Sequence, residues 1–135
     1  MTIPIRWKVV FFIVAAAIPT TSLAQSLDNT LRSMAAQVSK SLPMMVSAEV
    51  QATSVAALGN RIMYKYNIKK PAKQIDTSRL RKEHYENSVN AMCSNPGTVN
   101  LLKQGAVVMY QFYDSGNTFL FEMSVTKQAC VASRE

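Results

Sequence analysis

The side chains in this chain that could support bond-making or metal chemistry are few: the single histidine His84, the cysteines Cys93 and Cys130, and the neighbouring carboxylates Glu83 and Glu86. A cysteine nucleophile needs a base close enough to hold it as thiolate. His84 and Cys93 lie on one helical stretch, where their spacing turns them about 180° apart and separates them by about 13 Å along the axis, so neither activates the other. Glu83 and Glu86 share a helix face at i, i+3. Arg79 and Lys82 flank them, however, and that is the composition of a solvated surface rather than of an acid and base pair. No serine stands in a Gly-x-Ser-x-Gly elbow, and no second histidine is available to a triad. One histidine and two distant cysteines fall short of a four-ligand metal set, and there is no glycine-rich phosphate loop. The residues therefore predict no catalytic group, no metal and no cofactor, with His84 as a packed helix residue.

The elements that would position any site are plainer. Residues 106–113 (AVVMYQFY) and 118–125 (TFLFEMSV) are β-branched and aromatic runs flanking Asp114, Ser115, Gly116 and Asn117, a loop of turn formers, so they predict a β-hairpin. On its second strand Phe119, Phe121, Met123 and Val125 alternate with Thr118, Leu120, Glu122 and Ser124, which makes one face continuously apolar. A cover for that face comes from the start of the chain. Leu27, Leu31, Met34, Ala35, Val38 and Leu42 recur at three- and four-residue intervals behind a Ser26 cap and before Pro43, the pattern of an amphipathic helix.

Between these lie a second predicted hairpin and a second helix. Residues 44–57 carry Val46, Val50 and Val55 among polar residues, Leu58, Gly59 and Asn60 form a turn, and Ile62, Tyr64, Tyr66 and Ile68 alternate with Met63, Lys65, Asn67 and Lys69. The alanine-rich part of the first strand is also compatible with helix. After a linker at residues 71–74, Asp76 or Thr77 caps a helix with Leu80, His84, Tyr85, Ser88, Val89, Met92 and Cys93 on one flank; Asn95, Pro96 and Gly97 stop it, and a short turn follows up to Gly105. The order α-β-β-α-β-β predicts an α+β two-layer sandwich: a four-stranded antiparallel sheet with two helices on one face and the other face partly wet.

Residues 1–24 stand apart from this domain. Arg6 and Lys8 precede an uncharged apolar run over residues 9–18, Pro19 breaks it, and Ser22, Leu23 and Ala24 form a small-x-small cleavage site. This predicts a signal peptide cleaved after Ala24, since a spanning helix needs roughly 18 to 20 apolar residues. Residues 25–135 then form one domain, large enough to bury roughly 60 to 70% of its unfolded surface. In an exported chain two cysteines most simply make one disulfide, worth about 4 kcal/mol in the chain-entropy model; two buried free thiols are the alternative.

Charge is uneven. Fifteen Lys and Arg against eight Asp and Glu give +7. Arg61, Lys65, Lys69, Lys70, Lys73, Arg79, Arg81 and Lys82 are opposed within their segment only by Asp76. Such a segment either keeps the domain soluble or meets something anionic.

Leu42-Pro43, the Tyr64-x-Tyr66 strand, Cys93-Ser94-Asn95-Pro96 at a helix end, Gly105 ahead of the strand Tyr110-x-Phe112-Tyr113-Asp114, and a terminal Cys130 together resemble the quorum-sensing-regulated virulence factor family of small exported bacterial proteins. The resemblance covers residues 42–130, and its most specific element is the Cys-Ser-Asn-Pro tetrapeptide with a distant second cysteine. It implies an α+β fold, a bridge from Cys93 to Cys130, and no catalytic residue. Two functions follow as expectations for a periplasmic or secreted protein that is a monomer or weak dimer. One is a non-enzymatic, virulence-related accessory protein that binds another protein through Tyr64, Tyr66, Tyr110 and Phe112 on an open sheet face, or through an edge strand. The other is a binder of anionic envelope material or nucleic acid through the segment from Arg61 to Lys82, with Lys69, Lys70 and Lys73 at its centre.

Overall fold

The computed structural model describes residues 23–132. The expected signal peptide falls almost wholly on residues outside these. The described residues begin with α1 (Leu23–Ser39), whose buried stripe is Leu27, Leu31, Met34, Ala35 and Val38. The Leu42–Pro43 peptide, which is cis, leads into β1 (Met44–Met45). A tight reversal follows, in which Val46 N–H donates to Val50 O and Ser47 Oγ accepts from Val50 N–H.

β2 (Val50–Leu58) and β3 (Arg61–Ile68) form the first hairpin, closed at Gly59 with φ +60°, the left-handed value a two-residue turn accepts from glycine. The alanine-rich stretch is strand throughout, with a bulge at Thr53, whose hydroxyl donates to Lys65 O. The single long strand expected over residues 44–57 is thus two strands. Among the described residues the sheet consequently has five strands rather than four, in the order β1-β2-β3-β4-β5.

The sheet is also not wholly antiparallel. β4 (Val107–Tyr113) lies parallel to β3, with Arg61 opposite Val107 and Asn67 opposite Tyr113. The reason is the connection: after a 3-10 turn at Ala72–Gln74 the chain crosses back over one face through α2 (Thr77–Cys93) and α3 (Pro96–Lys103), and a strand re-entering after such a crossover runs in the same direction. Asp76 caps α2 by accepting from Arg79 N–H. Asn95 both follows one helix and caps the next, accepting from Gly97 and Thr98 N–H with Pro96 at the first helical position. The residues expected only to stop a helix therefore start a full one. β5 (Phe119–Val125) pairs antiparallel with β4, and the described residues end in a helix that the sequence pattern does not predict, α4 (Lys127–Ala132).

All the helices serve one face. α1 covers β2 and β3, α2 and α3 cover the rest, and the core between the layers is made by alternate strand residues: Ile62, Tyr64, Tyr66 and Ile68 from β3, Val108, Tyr110 and Phe112 from β4, Phe121, Met123 and Val125 from β5. The opposite face carries no helix among the described residues.

Candidate functional site

The four aromatic residues expected as partner anchors are the centre of the core. Tyr110 and Phe112 are 1% and 0% exposed, and Tyr64 and Tyr66 are buried beside them. The rings form one stack across two strands, with Tyr64 and Tyr110 5.5 Å apart and nearly parallel, and Tyr66 edge-on to Phe112 at 5.3 Å. Strand alternation explains the correction. It places Tyr64, Tyr66, Tyr110 and Phe112 on one face together, and that is the face α1, α2 and α3 roof over. Neither protein docking nor base stacking has access to them.

His84 belongs to the same cluster. It projects from α2 with its ring edge-on to Tyr110 at 4.6 Å, Phe112 at 4.9 Å and Tyr66 at 5.4 Å, and it is 2% exposed. Burial lowers its pKa to about 4, and burial raises Tyr64 to about 12. Tyr66 and Tyr110 are pushed up as well, chiefly by burial and then by their neighbouring phenols. On Tyr110 the Ser88 hydroxyl pulls slightly the other way without meeting hydrogen-bond geometry. A general base at this depth has no substrate to reach.

The buried imidazole predicts an acid sensitivity. Above the ordinary histidine value of 6.5 it is neutral folded and unfolded. As pH falls below that, the unfolded chain binds a proton that the folded chain refuses, so stability declines until about pH 4, where both states are protonated and the loss levels off. The total is on the order of 3 kcal/mol. Urea midpoints across this range should fall more steeply for the native protein than for His84→Gln; parallel slopes would remove His84 as the cause.

Cys93 at the end of α2 and Cys130 in α4 are joined by a disulfide, with Cα atoms 5.2 Å apart. Both thiols are therefore committed to structure, and α4 is anchored to α2. Among the described residues no group of three His, Cys, Asp or Glu is placed to hold a metal ion, and no helix is long and apolar enough to cross a membrane.

The basic segment is divided by the fold. Arg61 opens β3, while Lys69, Lys70 and Lys73 follow its other end, about 25 Å away along an extended strand. Several of its charges are already engaged. Lys70 Nζ is 2.7 Å from Glu49 Oε1, Arg79 pairs with Glu83 at 2.8 Å, Lys65 Nζ sits 4.4 Å above the Tyr113 ring, and Arg81 lies 5.0 Å from the Phe121 ring centre. One continuous binding strip is not formed; among the described residues Lys69 and Lys73 have no ion-pair or ring partner at the end where the lysines are densest.

The helix-free face is accessible. Met63, Lys65 and Asn67 of β3 stand beside Met109, Gln111 and Tyr113 of β4, all half-buried, with Glu122 and Ser124 of β5 exposed. Gln111 Nε2 donates to Glu122 Oε2 at 2.9 Å. Phe119 also stands here, 52% exposed and edge-on to Tyr113 at 5.6 Å, although alternation along its own strand assigns it to the core. A register shift between Phe112 and Tyr113 sets Phe121 opposite Phe112 but Phe119 opposite Tyr113, and Phe119 is thereby turned outward. Asp114 fixes the loop that precedes it, its carboxylate accepting from the N–H groups of Gly116, Thr118 and Ala72. The sequence signal for this arrangement is only the Asp-x-Gly turn; the bulge has none.

Over residues 21–131 the sequence matches the family described as "putative quorum-sensing-regulated virulence factor". The chain belongs to that family. Three solved structures share the fold of this quorum-sensing-regulated virulence factor family member. A Pseudomonas aeruginosa protein described as a "putative secreted protein" is 18% identical, with a TM-score of 0.67 over 83% of this chain and 99% of that one. The type II secretion system pilotin of Vibrio vulnificus is 16% identical, with a TM-score of 0.68 over 80% of this chain and 94% of its own. The type II secretion system pilotin of Vibrio cholerae is 17% identical, with a TM-score of 0.64 over 80% and 95%. At these identities the likeness is one of fold. No curated protein matches the sequence.

Proposed function

We propose that this family member is a non-enzymatic exported accessory protein that works by binding another protein in the bacterial envelope, in the manner of a secretion-system component. The observation that carries this reading is the fold shared with two type II secretion system pilotins across nearly their whole length. The site chemistry agrees with it, because the one imidazole is sealed in the core and both cysteines are bonded to each other. The surface that fits a partner is the helix-free sheet face, where Met109, Tyr113 and Phe119 supply apolar and aromatic contact area and Lys65 and Glu122 a polar rim.

Crosslinking in the native host tests this. The tagged full chain should enrich a secretion-system envelope protein, and Met109→Asp combined with Phe119→Asp should lose it while melting at the same temperature. Recovery of the same proteins by both forms, or of none by either, would count against the reading.

A further inference from the structure

The two ends of the sheet are chemically different. At the end where β3 finishes, the lysines are mixed with carboxylates: Glu49 pairs with Lys70, and Asp76 and Asp114 cap the adjoining helix and loop. The opposite end gathers the Gly59 turn, the close of α3, the start of β4 and the finish of β5, tied by Asn60 Nδ2 donating to Gly105 O and Val107 N–H donating to Asn60 O. Exposed there are Arg61, Lys103 and Lys127, none with an ion-pair partner among the described residues. Leu58 protrudes at the hairpin tip of the same end, on the β2 side, and is 73% exposed. Asp28, the carboxylate of α1, is held by Arg32 at 3.0 Å.

The chain also enters the domain at this end. α1 finishes shortly before Met44, which pairs with Ala52 at the far end of β2, while Leu31 and Met34 line one small cavity with Ile62, Tyr64 and Val108 near the hairpin turn. α1 therefore points its N-terminus toward Leu58. Cleavage after Ala24, as the sequence predicts, would leave a positive charge at this end.

From this juxtaposition we infer that the end bearing Leu58, Arg61, Lys103 and Lys127 is a docking surface for an anionic lipid bilayer. Leu58 enters the headgroup boundary, and the three cations meet lipid phosphates. A lipid surface fits better than a protein: one exposed apolar tip at the sheet's edge with three cations spread across the same end matches a planar interface, whereas a stable protein contact needs about 800 Å² per partner. Nucleic acid would gain nothing from Leu58. This surface is separate from the helix-free face assigned to a protein partner, so either assignment can fail alone.

The test is co-sedimentation of the protein, as purified from its exporting host, with vesicles of phosphatidylcholine alone or mixed with phosphatidylglycerol. Binding is expected to the mixed vesicles only and to weaken with salt. Each charge is expected to account for about fivefold in partitioning, so Arg61→Gln, Lys103→Gln and Lys127→Gln together should weaken it on the order of a hundredfold. Leu58→Ser should cost about tenfold, and Lys69→Gln with Lys73→Gln at the other end should change nothing. All four positions are exposed, and circular dichroism checks that each variant is folded. Absent binding to mixed vesicles, an equal loss in the Lys69/Lys73 variant, or equal affinity for a DNA duplex would each overturn the proposal.

Discussion

Phe112→Ala is expected to destabilise the domain by about 3 to 5 kcal/mol, the range found when a fully buried aromatic leaves a cavity. Phe112 is where the layers meet. Its ring lies 4.6 Å from Phe121 on β5 in a near-parallel stack, 4.9 Å from His84 on α2 and 5.3 Å from Tyr66 on β3, so one side chain bonds three strands to the helix above them. The surrounding rings are held in turn by their own strands, which limits how far the gap can close. For a domain with typical stability of about 5 to 15 kcal/mol, this is a large fraction of the total. The neighbouring substitution Tyr113→Ala faces the helix-free side and should cost about 1 kcal/mol, through its contacts with Lys65 and Phe119. Urea unfolding of the two variants gives the comparison; equal losses would mean that the aromatic cluster is not what holds the layers together.

Removal of the Cys93 to Cys130 bridge is expected to cost about 4 kcal/mol in the chain-entropy model, given a sequence separation of 37 residues. The effect should also have a place. α4 has six residues, too few to stay helical alone, and it rests on α2 and α3 with only Ala129 and Cys130 buried. Without the bridge, residues 127–132 should exchange their amide hydrogens first, before α2 or the sheet loosens. Thermal melts of the double variant Cys93→Ser/Cys130→Ser, with hydrogen exchange read by mass spectrometry, check both parts. A loss below about 1 kcal/mol, or unchanged protection of residues 127–132, would show that packing alone secures the C-terminus.

Both expectations rest on features of different legibility. The alternation of Ile62, Tyr64, Tyr66 and Ile68 and the stripe from Leu27 to Val38 can be read directly, because strand and helix periods are properties of a few adjacent residues. The caps at Asp76 and Asn95 are local in the same way, although Asn95-Pro96 reads equally as an end and as a beginning. What such patterns do not contain is which neighbour a strand takes. β3 reads as half of an antiparallel hairpin and is that, yet its other edge pairs parallel with a strand 46 positions on. The binding residues show the same limit: parity groups Tyr64, Tyr66, Tyr110 and Phe112, but only the crossover helices decide that their face is the covered one.

By itself the sequence determined the α+β class, the family, the positions of three of the strands and the two long helices, all of which depend on residues close together in the chain. The tertiary structure alone decided the parallel register of β3 on β4, the outward turn of Phe119 at a bulge, the helical state of residues 127–132, and the separation of Arg61 from Lys69, Lys70 and Lys73 onto opposite ends of the sheet. Each of these is set by contacts between segments far apart in sequence, where the energy lies in shared burial and paired backbone rather than in any local preference.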